Sequence, residues 1–445
     1  VMFGSLVATV SLLITLFGDL FVGDGLDGTV LVYAVIWGTV WAAHSWIATR
    51  DDFAPDLWFE HLLGSFVGLA TTLVAGAIAA ASVLVVIYDA VFDIAAVGPT
   101  TEHIVRPLVA CAVGGVVWAW YWLRTALHGE HTILWIAYVL FAGVLSGVVM
   151  VVSGMGTALF SVLQWLVAEP SGTSASHFEV VPAALGVAAV GVATWAYHRF
   201  VLDSGPARAR TDIDRFYDYL VAVLGLAVTA GGIATLITYA LWAVVGIEIT
   251  GSDRDVIAVA LTLLIVGAPL WGVYWARAQG ERKRNGADEV QATTRRIYVF
   301  SVLGITVLVA LVSLFVLVYQ FVQAILDGTV GAEMLDAMAV PVALLVTAGA
   351  VAWYHFTVMR DDRSAAPAAV KVSVREVILI TEDGAELSTA LKAADMRVRV
   401  FPAAAPAVDV ASVEEVLAAL SSEGHGHVVV VDRGEDGGFE VIPLR

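Results

Sequence analysis

Three histidines stand beside indole and phenol rings near the ends of apolar stretches: His44 between Trp41 and Trp46, His198 after Trp195 and Tyr197, and His355 after Trp353 and Tyr354. Imidazoles projecting from a helical bundle can serve as axial ligands of a haem, so these three are the candidates for holding a redox cofactor. The matching places elsewhere in the chain hold Tyr121 or Trp122 and Tyr274 or Trp275. A position that takes Tyr, Trp or His alike behaves as an aromatic anchor at a membrane interface, and the pattern favours that role. No bound cofactor is expected on this basis.

A second group has metal-ligand chemistry: His61, His128 and His131, with Glu60 and Glu130 adjacent. It lacks the H-x-x-x-H spacing that puts two imidazoles on one helix face, and a solvated loop suffices to explain it, so no metal site is assigned. No catalytic residue is assigned either, and the chain is not expected to be an enzyme. Cys111 is the only cysteine, which excludes intramolecular disulfides and thiolate metal clusters. Asp89 and Arg106 lie near the outer ends of neighbouring apolar stretches and are placed to form an ion pair. Gln164, Gln320 and Gln323 are placed for hydrogen bonds between helices. The centres of the apolar stretches carry almost no charge, which disfavours proton-coupled transport.

The elements that must carry these residues follow from composition. Of 445 residues, 59% are hydrophobic and 14% charged, and the mean hydropathy is +0.85. Soluble domains carry roughly 25% charged residues, so the solvent here is lipid. A membrane helix needs roughly 20 apolar residues. Ten stretches meet that criterion, with cores at 3–20, 29–49, 60–90, 104–125, 132–167, 180–200, 215–246, 255–276, 296–326 and 337–359. Val1 to Phe17 lack a basic leading segment and a small-residue cleavage site, so they read as the first span and not as a signal peptide. Arg124, Arg199, Arg215, Arg277, Arg282, Arg295 and Arg360 fall on one side of a ten-span chain, and the opposite loops are short and acidic. Basic loops stay inside, so the expectation is a multi-pass protein of the cell membrane with its N-terminus and C-terminal domain in the cytoplasm. The net charge of −18 comes mainly from loops and the C-terminal tail and argues against nucleic acid as a partner.

The spans alternate long and short and repeat. Trp58, Trp135, Tyr217 and Tyr298 open long spans at intervals of about 80 residues, the kind of fixed period that marks repeated units. The short spans close on Trp120 to Arg124, Trp195 to Arg199, Trp271 to Arg277 and Trp353 to Phe356. Pro107, Pro182 and Pro341 are placed for the first turn of three short spans, and Pro269, deep in a fourth, is expected to kink it. Five tandem hairpins inserted in one sense account for this. Small residues at Gly143, Gly147, Gly154, Gly156, Gly225, Gly231 and Gly232 are expected to let helices approach closely.

The basic-aromatic openings Arg215-Phe216-Tyr217 and Arg296-Ile297-Tyr298, the long Gly/Val/Leu spans behind them and the aromatic-basic closings resemble the prokaryotic membrane family known as domain of unknown function 5671. The resemblance covers roughly residues 1–360. It implies tandem two-helix repeats and brings no catalytic residue and no substrate.

Residues 1–360 thus read as an all-α bundle, 361–371 as a linker and 372–445 as a small α/β domain. Strands are expected at 376–381, 397–401, 428–431 and 439–442, with helices at 387–394 and 412–421. Ser412 and Glu415 would form a capping box on the second helix, and a turn would run through Gly434 to Gly438. Glu382-Asp383-Gly384 and Asp432 to Asp436 read as solvated turns. The function classes left open are a non-enzymatic scaffold or sensor that positions the soluble domain, a transporter or channel for a small or apolar solute, and a haem- or quinone-binding redox subunit. The partners these allow are membrane lipids, a protein bound through the soluble domain, and further copies or subunits in a membrane complex.

Overall fold

The computed structural model describes residues 1–48, 57–94, 101–129, 132–167, 172–203, 212–246, 253–365, 374–381, 385–402, 413–422, 427–432 and 439–444. The chain divides into two units, Val1–Ala365 and Ala366–Arg445.

In the first unit, ten described helices are long and apolar enough to cross a membrane. Helices α1 (Met2–Val22) and α2 (Gly28–Ala48) form the first hairpin, and α3 (Leu57–Phe92) and α4 (Thr101–Trp118) the second. A π-helical stretch, Ala119–Leu123, and a 3-10 turn, Ala126–His128, continue α4. The third hairpin rises through α5 (Ile133–Ala137), a π-helical stretch (Tyr138–Leu145) and α6 (Ser146–Val167). It returns through α7 (Ser174–His177) and α8 (Val180–Asp203). Helices α9 (Asp212–Val245) and α10 (Asp253–Gln291) form the fourth, and α11 (Thr293–Asp327) and α12 (Ala332–Ala365) the fifth. In hydrocarbon every backbone amide must find its partner within the chain, and apolar runs of this length do so as helices. Left-handed glycines stop α1 at Gly23 (φ 98°) and α11 at Gly328 (φ 70°).

Successive hairpins join by one rule. Helix α1 packs on α4, α3 on α8, α6 on α10 and α9 on α12, so the first span of each hairpin meets the second span of the next. The helices do not alternate in length as expected, α9 having 34 residues and α10 39, and below the first span is called long and the second short by order alone.

Within a hairpin the crossing is closed by glycine. A Cβ on Gly68 would lie 2.7 Å from Trp118 Cα, one on Gly147 2.6 Å from Trp195 N, and one on Gly225 2.9 Å from Trp271 Cα. The short spans reciprocate four residues before each Trp: Gly114 meets Thr72 N at 2.9 Å, Gly191 meets Val151 N at 2.8 Å and Gly267 meets Thr229 N at 2.6 Å. The fifth hairpin departs from this. Gly349 keeps the place before Trp353, but a Cβ on it, or on Gly304 of the long span, meets nothing within 4 Å.

Two sequence expectations about proline need correction. Pro182 is in the first turn of α8, but Pro107 and Pro341 lie inside α4 and α12. Those helices begin earlier because their polar leading residues, among them Glu102 and Glu333, continue the helix beyond the apolar core. Helix α10 runs through Pro269, and its break in backbone dihedrals comes at Gly286 (φ 50°). Helix α12 also extends to Ala365, past the residue at which the linker was expected to begin. Residues 366–371 of that linker lie outside the described residues.

The second unit is a four-stranded sheet with two helices, in the order β1 (Glu376–Ile380), α13 (Ala385–Ala393), β2 (Arg397–Phe401), α14 (Val413–Ser422), β3 (His427–Asp432) and β4 (Phe439–Pro443). The strands lie in the order β2-β1-β3-β4, with β1, β2 and β3 parallel and β4 antiparallel to β3. Val377 and Leu379 of β1 and Val428 and Val430 of β3 share one face and form a single core with Leu387 and Leu391 of α13 and Val416 and Leu420 of α14. Ser412, the turn through Gly434 to Gly438, Glu382-Asp383-Gly384 and residues 433–436 lie outside the described residues.

The crossings yield a prediction. A methyl group at Gly147 has backbone on its far side that cannot yield, and overpacking of this kind costs about 1–3 kcal/mol. Thermal unfolding of detergent-solubilised protein should therefore show Gly147→Ala clearly destabilised. Gly304→Ala should stay within about 0.5 kcal/mol of the parent.

Candidate functional site

The aromatic residues near the ends of the short spans form two series of hydrogen bonds. In one, an indole of a short span donates to a phenol of the next short span: Trp41 Nε1 to Tyr121 at 2.8 Å, Trp122 Nε1 to Tyr197 at 2.8 Å, and Trp275 Nε1 to Tyr354 at 2.5 Å. In the other, an indole donates to the phenol that opens the following long span: Trp118 Nε1 to Tyr138 at 3.0 Å and Trp195 Nε1 to Tyr217 at 3.3 Å. Trp271 and Tyr298 hold the next place in that second series and face each other without reaching hydrogen-bond geometry. A buried Trp or Tyr needs a partner for its polar atom, and these pairs satisfy each other while joining hairpins.

His198 and His355 occupy the donor place of the first series, where Trp122 and Trp275 stand in other hairpins. Their Nδ1 atoms donate to the carbonyls of Thr194 and Val351, each at 2.9 Å. Both Nε2 atoms are buried without a hydrogen-bond partner. Trp118, Trp122, Tyr138 and Tyr197 surround the ring of His198, with centroids 5.0–6.5 Å away. Trp275, Tyr298 and Tyr354 surround that of His355 at 5.2–5.8 Å. Because His198 cannot extend an indole to α10, the Tyr274 hydroxyl there pairs with that of Tyr217 at 2.7 Å.

His44 is a different case. It is half-buried, its Nδ1 contacts the Val40 carbonyl at 2.8 Å, and Trp41 takes the donor place in its hairpin. His198 and His355 are 1% and 0% exposed, and a Cβ on Gly143 would overlap the His198 ring. Each Nε2 keeps a free lone pair, but the rings packed around both imidazoles leave no slot beside them for a porphyrin plane. The residues present do not fit a haem.

The remaining candidates are dispersed. His61 is half-buried on α3 with its ring centroid 6.1 Å from that of Tyr121, and His128 sits in the turn after α4. His131 and Glu130 lie outside the described residues. Among the described residues, no three His, Cys, Asp or Glu side chains come together as a metal site.

The ion pairs sit at the span ends. Arg106 does not pair with Asp89 as expected; its guanidinium binds Asp19 at 2.7 Å, Asp24 at 2.9 Å and Glu102 at 2.8 Å. The reason is the packing of α4 on α1, which brings the side chain of Arg106 against Gly18. Gln164 does bridge helices, donating to Asp255 of α10 at 2.9 Å.

A larger network joins α9, α10, α11 and α12. Arg295, fully buried, binds Asp362 through two nitrogens at 2.7 and 3.0 Å, donates to the Tyr219 hydroxyl at 3.2 Å, and reaches Gln279 at 3.3 Å. Arg282 shares Asp362 at 2.8 Å, and Arg215 binds the fully buried Glu289, also at 2.8 Å. Sequence reasoning counted these arginines as loop charge; a basic residue beside Tyr298, which opens a long span, was the available clue.

The matched stretch is where this network lies. Residues 215–381 resemble the family described as Domain of unknown function (DUF5671). The match takes in most of α9, all of α10 to α12 and β1, less than the 1–360 expected from the residue pattern. No curated protein and no solved structure matches the chain. The DUF5671-like stretch therefore carries one His355 box, one buried arginine network and the hairpin whose glycines stand open.

Two outcomes follow for thermal unfolding in detergent. His355→Phe should leave the midpoint unchanged or raise it, because it removes a desolvated Nε2 that makes no bond. Asp362→Ala strands a buried guanidinium and should cost about 3–5 kcal/mol.

Proposed function

We propose that the chain is a non-enzymatic integral membrane scaffold or sensor, whose helical unit holds the α/β unit at the cytoplasmic face of the cell membrane. The observation that carries this reading is the sealing of the helical unit. Among the described residues, its ion pairs gather at span ends, the crossings of its second, third and fourth hairpins close on glycine, and its best-placed histidines are walled in by aromatic rings. Such a unit anchors; it offers no charged path across the hydrocarbon. The α/β unit has a core of its own and is the part available for a protein partner, while lipids contact the helices. The basic loops favour a cytoplasmic location for the N-terminus and the α/β unit, and the net charge of −18 disfavours nucleic acid as the partner.

A second reading, carriage of an apolar solute, is favoured by two matching clefts. One, of about 550 Å³, lies among α3, α6 and α8 and is lined by Phe66, Leu73, Ser146 and Val187. The other, of about 430 Å³, lies among α9, α11 and α12 and is lined by Val223, Ala230, Val302 and Leu344. Each sits between the long spans of two successive hairpins and the short span of the later one.

Thr389, exposed on α13, provides the topology test. In a Cys111→Ala background, Thr389→Cys should react with a membrane-impermeant maleimide in inside-out vesicles and not in intact cells. Labelling of intact cells would overturn the sensor reading. Mass spectrometry of extracts from purified protein tests the second reading: one apolar compound at near-stoichiometric ratio would favour carriage, and bulk lipid alone would favour the anchor.

A further inference from the structure

The rule that joins the hairpins has two halves, and the helical unit leaves one of each uncovered. Every internal junction sets a long span against the short span of the following hairpin. Among the described residues, no long span of another hairpin packs on α2 and no short span of a later hairpin packs on α11. We propose that a second copy of this chain docks head to tail, with α11 of one copy on α2 of the next, repeating between chains the contact used four times within one.

The internal junctions identify the surfaces. On α4, Val113 and Val117 meet Leu6 and Val10 of α1. On α10, Leu270 packs in one cluster with Val148 and Val152 of α6. Trp41, Trp122 and Trp275 donate equivalent hydrogen bonds and so fix the alignment of the short spans. Setting Trp41 on Trp122 places Val113 and Val117 at Val32 and Ile36; setting it on Trp275 places Leu270 at Ile36 as well. Two independent junctions thus select one face of α2, and both residues on it are exposed, Val32 at 57% and Ile36 at 49%.

The clefts align the long spans, because Ser146 and Met150 line the first where Val302 and Thr306 line the second. That register is supported by Gln164-Trp165 falling on Gln320-Phe321. It sets Val148 on Gly304 and Val152 on Leu308. Leu308 is 60% exposed, and a Cβ on Gly304 meets nothing within 4 Å, so this face of α11 is open to close approach.

Direction agrees as well. All five hairpins insert in the same sense, so long and short spans run antiparallel at every internal junction. A second copy in the same membrane presents α2 to α11 in that same antiparallel sense. The contact is heterologous: it uses two different surfaces and extends to a ring or a row of copies. Between membrane helices it is held by packing, for which an open glycine in an apolar stripe is suited.

Cysteine crosslinking in native membranes tests the pairing. Two differently tagged full-length copies, both Cys111→Ala, would carry Ile36→Cys and Leu308→Cys respectively. Oxidation should give a dimer holding both tags, and this band should be lost when both copies carry Ile36→Cys or both carry Leu308→Cys. Same-site dimers, or no mixed dimer although both thiols react with a small lipid-soluble maleimide, would overturn the proposal. So would an internal crosslink in a single chain carrying both cysteines, which would mean that α11 closes on its own α2. Independently, native mass measurement in lipid discs should give multiples of 47.0 kDa for the unsubstituted protein; monomers alone would overturn it.

Discussion

The helical unit depends on the close antiparallel crossing of a long and a short span at glycine. Lipid tails are as apolar as the helices, so no hydrophobic drive pushes two spans together, and what remains is packing at short range and hydrogen bonding. Gly68, Gly147 and Gly225 bring each long span onto the backbone of a Trp, while Gly114, Gly191 and Gly267 open the short span to its partner. That crossing brings the indoles of Trp118 and Trp195 level with the phenols that open the following spans. The aromatic bonds join one hairpin to the next, and the glycines join the two arms of the second, third and fourth.

This division of labour explains why the aromatic place tolerates histidine. The imidazoles of His198 and His355 fill much of the volume of an indole and tie back to their own helices through Nδ1. What is lost is the bond across to the neighbouring hairpin, and after His198 the Tyr217–Tyr274 pair makes up for it. A buried Nε2 that finds no partner is a cost the junction carries in return for the packing. The ionic clusters work differently. Arg106 ties the first two hairpins at half-exposed ends of their spans, whereas the last two are tied by Arg282 with Asp362 and by Arg295 with Tyr219, in a cluster whose buried guanidinium is held by several hydrogen bonds.

Much of this was legible in the sequence where the physics is local. Hydropathy found all ten spans, because the requirement for a long apolar run is met or missed segment by segment. Short apolar runs and helical spacing likewise found the strands and helices of the α/β unit near their observed places. The misplaced features were those set by neighbours. Pro107 and Pro341 look like helix starts in sequence because the turns before them are polar, though those turns are helical. Order along the chain puts Asp89 nearest Arg106, but α4 packs against α1 as well as α3, and the partners outside its own helix come from α1 and the turn after it. The three histidines looked alike because each neighbours a Trp. Only the hydrogen-bond series shows that Trp41, and not His44, shares the place of His198 and His355.

The recurrence has a longer period than one hairpin. His198 and His355, Tyr197 and Tyr354, and Val187 and Leu344 all stand about 157 residues apart, two hairpins on. Each pair occupies the same surroundings: an aromatic box with an unpartnered Nε2, an acceptor for an indole, a wall of a cleft. The stretch resembling DUF5671 likewise spans two hairpins, α9 to α12. A structural unit of two hairpins accounts for both facts. In such a unit the first short span carries the indole donor and the second the histidine. The π-helical stretches Ala119–Leu123 and Tyr138–Leu145 occur in the earlier pair at the places where the later pair is α-helical, and they shift the spacing of its aromatic residues. Trp118 and Trp271 are accordingly about 153 residues apart while Tyr138 and Tyr298 are about 160 apart, so the two halves keep the same contacts in different sequence registers. A similarity detected residue by residue therefore falls on the later pair, while the geometry is common to both.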